Sequence, residues 1–337
     1  MSSTNTQVRL AARPSGLPKD SDWQIVEEPA PTPGEGEFTV AISHLSLDPA
    51  MRGWMNAGAS YIDPVEVGAI MRAGAVGEVA ASRHPGFAVG EHVVGMFGVQ
   101  EYALSDGTGV IKVDPSLAPL PTYRGALGMT GMTAYFALLD VGKPVAGNTV
   151  VISGAAGAVG SVAGQIARIK GCRVVGIAGG EEKSRWLTDE LRFDAAIDYK
   201  RGDVAGALRE LAPEGIDVYF DNVGGEILDA ALTRLARGAR IIICGAVSQY
   251  NATDGFRGPS NYMALLVARA SMTGMVVFDY FARFPEATRD IAGWLADGSL
   301  IAREEVVEGG VRAFPEALLK LFAGENTGKL VLRVGEG

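Results

Sequence analysis

The segment Val150-Val-Ile-Ser-Gly-Ala-Ala-Gly-Ala-Val-Gly160 places a run of small residues directly behind a β-branched stretch. Small residues at three set positions allow a tight turn, a close approach of backbone N–H groups to a charged ligand, and close packing of the following helix on the strand. Ala155, Gly157 and Gly160 occupy these positions, with alanine in place of the first glycine. The positive end of a helix that starts there suits phosphate, so the pattern is that of a pyrophosphate cradle for a dinucleotide. In a chain with 45 glycines such a turn alone carries little weight. What gives it weight is its place after a clear strand and before a clear helix, at the head of four more strand–helix units.

The end of the next strand bears on which dinucleotide fits. An acid there bonds the ribose hydroxyls of NAD, whereas a 2′-phosphate wants space and a cation. In Gly176-Ile-Ala-Gly-Gly-Glu-Glu-Lys-Ser-Arg185 no acid ends the strand, Gly179 and Gly180 leave room, and Lys183 follows. Equally, Glu181, Glu182 and Lys183 suit a solvated first helical turn, and Glu181 would serve as a ribose ligand for NAD. Local sequence leaves both open. A catalytic zinc needs three protein ligands. His44, His84 and His92 lack metal-ligand spacing, and Cys172 and Cys244 both sit in apolar runs. With no serine nucleophile elbow either, the chemistry must rest with a cofactor and a few orienting groups.

The elements that position these residues fall into two textures. The first third has short apolar runs, such as 38–42, 76–80, 92–97 and 100–103, between Pro/Gly turns, which suits an irregular barrel or bent sheet. From about Thr130 strands and helices alternate: helix 131–140, strand 149–153, helix 159–170, strand 173–178, helix 181–191, strand 195–198, helix 204–211, strand 217–221, helix 225–235 and strand 240–244. That alternation predicts a parallel sheet with helices on both faces. A helix ending near Arg269 and a strand over 271–278 close this part. The tail, with a strand from Glu304, a helix over 315–322 and a strand over 329–334, rejoins the first domain. The length of 337 residues fits about two domains. A net charge of −9 without basic runs argues against nucleic acid and anionic membranes. Residues 144–167 carry no charge, yet five glycines and a β-branched start read as strand, turn and buried helix. The absence of an apolar core in residues 1–13 argues against a signal peptide, and two cysteines are not a disulfide framework, so a soluble cytoplasmic protein is expected.

Six segments in order resemble the zinc-independent, NADP-dependent branch of the medium-chain dehydrogenase/reductase superfamily, which includes prostaglandin reductases, alkenal double-bond reductases and bacterial curcumin reductases. They are His44-Leu-Ser-Leu-Asp-Pro49 with Met51-Arg52, Gly128-Met-Thr-Gly-Met-Thr-Ala-Tyr135, Gly154-Ala-Ala-Gly-Ala-Val-Gly160, Tyr219-Phe-Asp-Asn-Val-Gly-Gly-Glu226, Cys244-Gly-Ala-Val-Ser-Gln-Tyr-Asn251 and Gly324-Glu-Asn-Thr-Gly-Lys329. The segments Gly53-Trp-Met and Ser60-Tyr-Ile-Asp-Pro-Val-Glu66 are closest to the curcumin reductase group. The resemblance implies an α/β fold in which a Rossmann-type doubly wound parallel sheet (129–298) is inserted in an irregular GroES-like β-barrel domain (1–128 and 299–337).

It also implies roles for individual residues. Ala155, Ala156, Gly157, Ala158 and Val159 would cradle the pyrophosphate, and Lys183 with Tyr199 would hold the 2′-phosphate of NADPH. Asn222, Cys244, Gly245, Ser248, Tyr250, Met275, Val276, Val277 and Asn326 would make further cofactor contacts, with Thr133 near the nicotinamide. Tyr250 would be the catalytic residue, and no metal takes part. One departure is Ala50, where relatives commonly carry a tyrosine that walls the substrate pocket. The implied reaction is reduction of the carbon–carbon double bond of an α,β-unsaturated ketone or aldehyde, with hydride going to the β carbon. Charge building on the carbonyl oxygen would be met by Tyr250 and a cofactor ribose hydroxyl. The alternatives are an NADPH:quinone reductase on the same scaffold and an NADPH-binding structural or regulatory protein with little turnover. An apolar edge strand over 272–278 points to a homodimer.

Overall fold

Short apolar runs cut by turn residues form seven strands before residue 114 in the computed structural model, which describes residues 4–58 and 60–335. They are β1 (Thr4–Leu10), β2 (Trp23–Pro29), β3 (Phe38–Ser46), β4 (Ala75–Ser82), β5 (His92–Gly95), β6 (Tyr102–Ser105) and β7 (Ile111–Val113), with the short helix α1 (Met51–Trp54) between β3 and β4. The alternating part then runs α2 (Met129–Phe136), β8 (Thr149–Ser153), α3 (Ala158–Ile169), β9 (Arg173–Ala178), α4 (Glu181–Arg185), β10 (Ala195–Asp198), α5 (Val204–Leu211), β11 (Ile216–Asp221), α6 (Gly225–Leu232), β12 (Leu235–Ile243), α7 (Ala264–Ala268), β13 (Ser271–Gly274) and α8 (Phe284–Ala296). The tail adds β14 (Glu304–Val307), α9 (Phe314–Phe322) and β15 (Lys329–Arg333).

The chain divides into two units, Met1–Arg124 with Glu304–Gly337, and Gly125–Arg303. In the first, the long strand β3 organises a largely antiparallel sheet of order β14-β15-β3-β4-β5-β7. One edge of β3 pairs with β4, while the other is shared by β6, opposite residues 38–41, and β15, opposite residues 44–46. The tail thus supplies two strands of the sheet that β3 organises. Phe38, Val40, Leu45, Val79, Phe314, Leu330 and Leu332 pack into one core.

The second unit is a six-stranded parallel sheet of order β10-β9-β8-β11-β12-β13. Numbered within the unit this is 3-2-1-4-5-6, the doubly wound order, and it reverses between β8 and β11. The inner strands β8, β9 and β11 are buried on both faces, and alternate residues go to opposite cores. Val150, Ile152, Val218, Phe220 and Ile242 pack under α2, α3 and α8. Val151, Val175, Ile177, Tyr219 and Ile241 pack under α5 and α6. Residues 144–167 become β8, a turn and α3, and no helix among the described residues is long and apolar enough to cross a membrane.

Four expectations need adjustment. The unit boundaries fall at 124/125 and 303/304 instead of 128/129 and 298/299. Gln165 binds both backbone groups of Ile301, and Leu300 is buried in the second unit's core, which keeps 299–303 with that unit. The strand drawn over 271–278 ends at Gly274, because its partner β12 ends at Ile243 and Met275 N–H makes the final bond to Ile243. Val277–Arg283 is instead a 3-10 helix, so Met275, Val276 and Val277 do not form a strand. The helix drawn over 181–191 is α-helical only to Arg185 and continues in wider π turns over Trp186–Glu190, which bury Trp186 and Leu187. Helix α8 was not anticipated from sequence, although Phe284, Ala287, Ile291, Trp294 and Leu295 recur at helical spacing toward the core.

Candidate active site

The topological switch point of the second unit lies between the carboxyl ends of β8 and β11, where ligands of such sheets bind. β8 ends at Ser153, and the chain turns through Gly154, the residue of the turn with a left-handed backbone (φ 58°). The conformational freedom assigned to position 155 is therefore exercised one residue earlier, and alanine at 155 is no handicap. Ala155 is fully buried and donates its N–H to Ile177, and its methyl lies only 2.9 Å from where a side chain on Gly176 would start. A side chain at Gly160 would meet Gly154 O at 2.4 Å, so the third small position is set by the packing of α3 on the turn. No side chain caps α3 at Gly157. Its first N–H groups face the switch point with the positive end of the helix dipole. Ala155, Ala156, Gly157, Ala158 and Val159 follow one another through this turn into the start of α3, where a helix N-terminus suits an anion.

Across the switch point, a buried carboxylate organises the second loop. Asp221 Oδ1 accepts from Ser153 Oγ at 2.8 Å, Gly224 N at 3.0 Å, Val223 N at 3.1 Å and Tyr219 Oη at 3.3 Å. Ser153 Oγ in turn accepts from Asn222 N at 2.9 Å, and Asn222 Nδ2 donates to Ser153 O at 2.7 Å. Burial pushes the Asp221 carboxyl above the usual carboxylate range, against the pull of these donors. The carbonyls continue the scaffold: Asp221 O takes the N–H groups of Cys244 and Gly245, and Val223 O takes Ser248 N and Oγ. The segments holding Asn222, Cys244, Gly245, Ser248 and Tyr250 are thus tied into one assembly. Tyr250 Oη accepts from Ala246 N at 3.2 Å and lies 3.0 Å from where a side chain on Gly245 would begin. Burial, with Asp221 nearby, pushes the Cys244 thiol up to about 12, so it is a neutral thiol at physiological pH.

Sequence reasoning missed Ser153 and Asp221. The available signal was an acid closing the apolar run of β11. Thr133 donates its hydroxyl to Met129 O one helical turn back (2.7 Å), which is ordinary helix bonding. Asn326 belongs to the first unit, where it is buried and donates to Gly328 O at 2.9 Å within a turn.

At the carboxyl end of β9 no acid follows Ala178. A side chain on Gly179 would meet the Tyr199 ring at 2.9 Å, so glycine lets that ring lie against the strand end. Tyr199 is 43% exposed and opens the 3-10 turn Tyr199–Arg201. Lys183 lies half-buried in the first turns of α4, whose N-cap Gly180 has φ 97°. The sequence-predicted pair Lys183 and Tyr199 thus flanks the same strand-end region. Among the described residues no group of three or more His, Cys, Asp or Glu could hold a metal ion.

The comparisons agree with this architecture. A family model described as the N-terminal domain of oxidoreductase matches residues 6–113, and one described as zinc-binding dehydrogenase matches residues 158–293. The chain is 41% identical to the NADPH-dependent curcumin reductase of Escherichia coli, over 96% of this chain and 95% of that protein. It is 38% identical to the NADP(+)-dependent 2-alkenal reductase of Nicotiana tabacum, covering 98% of each. The crystal structure of CurA in complex with NADPH from Vibrio vulnificus superposes with a TM-score of 0.93 at 43% identity, over 98% of this chain and 100% of that one. The chain belongs to the medium-chain dehydrogenase/reductase family, in the branch of the curcumin, 2-alkenal and prostaglandin reductases.

Proposed function

We propose that this chain is an NADPH-dependent reductase of the carbon–carbon double bond of α,β-unsaturated ketones and aldehydes. The observation that carries it is the carboxyl edge of the second unit's sheet, an uncapped α3 behind a glycine cradle beside the strand end flanked by Lys183 and Tyr199. The printed names of the E. coli and tobacco relatives support the substrate class. Ala155 through Val159 hold the pyrophosphate, Lys183 and Tyr199 the 2′-phosphate, and Asn222, Cys244, Gly245, Ser248, Met275, Val276, Val277 and Thr133 line the rest of the cofactor. NADPH supplies the hydride when bound.

The chain must then hold the substrate and answer the charge that builds on its carbonyl oxygen as the β carbon is reduced. Tyr250 is the group we assign to that task. Accepting from the Ala246 N–H fixes its oxygen and strengthens its O–H as a donor. Tyr250→Phe should lower kcat about 10-fold, roughly 1.4 kcal/mol of barrier, with little change in NADPH affinity. A deuterium isotope effect should first establish that hydride transfer limits the rate. An unchanged kcat in the variant would then reduce Tyr250 to packing.

The reaction class is tested by a substrate panel in the presence of a chelator. NADPH should be consumed with a simple enone but not with the corresponding saturated ketone, and deuteride from labelled NADPH should appear at the β carbon. Consumption with quinones alone, deuterium at the carbonyl carbon, or loss of activity that zinc restores would each overturn the proposal. We further propose a cytoplasmic homodimer that works without metal or membrane. The edge strand β13, flanked by exposed Tyr262, Leu266 and Val267, supports a second copy pairing there.

A further inference from the structure

We propose that Arg201 sets the cofactor preference by covering two carboxylates that would otherwise favour NADH. The inference rests on reading the carboxyl end of β9 as the adenosine-ribose site. No acid ends β9 itself, but two reach the region from neighbouring elements: Glu181 from the first turn of α4, and Asp198 from the end of β10. Asp198 is fixed there, because its Oδ1 accepts from Gly180 N at 2.7 Å and Lys200 N at 3.0 Å. Those donors hold its carboxyl below the ordinary range, so it is charged at physiological pH.

Arg201 spans both acids. Its Nη2 lies 3.2 Å from Glu181 Oε2, and its Nε lies 3.5 Å from Asp198 Oδ2. Arg185 adds a looser contact to the other Glu181 oxygen at 3.9 Å. The 3-10 turn that carries Arg201 also carries Tyr199, so one three-residue turn places the aromatic ring and the covering cation together. Uncovered, the two carboxylates would repel a 2′-phosphate and offer acceptors to a ribose 2′-hydroxyl, which is the arrangement that selects NAD. Arg201 therefore acts through Glu181 and Asp198 and is a positioning residue. Because the Glu181 pair is largely exposed, the effect is moderate. We expect a roughly tenfold change in the ratio of affinities, drawn from weaker NADPH and tighter NADH binding together.

The test titrates the full chain with NADPH and with NADH, following the quenching of tryptophan fluorescence. The variants are Arg201→Ala, Arg201→Lys, the double variant Arg201→Ala/Glu181→Gln, and Lys183→Ala. Arg201→Ala should lower the NADPH-over-NADH affinity ratio, Arg201→Lys should keep it, and the double variant should recover most of the loss, all with unchanged melting temperatures. If Lys183→Ala lowers the ratio and Arg201→Ala does not, the covering role fails while the site reading stands. If neither lowers it, both fail. A loss in Arg201→Ala that Glu181→Gln does not restore would make Arg201 a direct phosphate ligand and would also overturn the proposal.

Discussion

Lys183→Glu should weaken NADPH binding about 100-fold while leaving NADH binding within a few fold. The 2′-phosphate carries close to two negative charges, and the half-buried Lys183 lies beside the strand end where it would sit. Removing a unit charge near a phosphate, at the dielectric of a protein surface, costs about 1.4 kcal/mol, or tenfold. Reversing the charge adds a repulsion of similar size, so the two steps multiply to about 100-fold. NADH has a hydroxyl in that position, and a glutamate there would accept from it. The preference should therefore shrink from both sides, with Lys183→Gln intermediate. Equilibrium titrations with the two reduced cofactors give the answer directly. Equal affinities in the unmodified protein would remove the 2′-phosphate assignment at its root.

The parts of the molecule legible in sequence are those whose signal is local. β8, its turn and α3 can be read because a β-branched run, small residues and a helical period adjoin within about twenty positions. The parallel sheet follows from strand–helix alternation alone. Pairing partners are not local, and errors concentrate there. The apolar run 272–278 looks like one strand, but only Ser271–Gly274 has β12 beside it; the rest curls into a 3-10 helix. Ser153 and Asp221 lie 68 residues apart and become partners only because the strand order sets β8 against β11. Arg201 reads as one more solvated arginine until α4 and the end of β10 are seen to bring Glu181 and Asp198 to it. The positions of Tyr250 and Asn222 within the site came from resemblance, since a loop tyrosine and a turn asparagine have no distinctive spacing.

Replacing Asp221 by alanine should cost about 3–5 kcal/mol of stability, more than any other single change at the site. Four donors converge on Oδ1, and alanine would leave the Ser153 hydroxyl, the Tyr219 hydroxyl and the Val223 and Gly224 N–H groups to find new acceptors in a buried place. Each such loss costs about 1–3 kcal/mol before relaxation, and shared relaxation keeps the total below the sum. Asp221→Asn retains an oxygen in the same position and should cost clearly less. The two variants also separate hydrogen bonding from charge. Burial raises the folded-state pKa of Asp221 above its unfolded value, so the proton stabilises the fold. That contribution is full below the unfolded pKa of about 3.9 and is lost as pH rises through the folded value. Asparagine does not titrate. The stability difference between wild type and Asp221→Asn, measured by urea unfolding at a series of pH values, should therefore favour wild type most at the acid end and decline toward neutrality. A difference that grows with pH would mean that the donors outweigh burial and that the folded protein prefers Asp221 charged. The loop bearing Asn222 and the backbone of Cys244 and Gly245 would then be held by a full negative charge beside the switch point, and a cofactor phosphate approaching α3 would meet that charge.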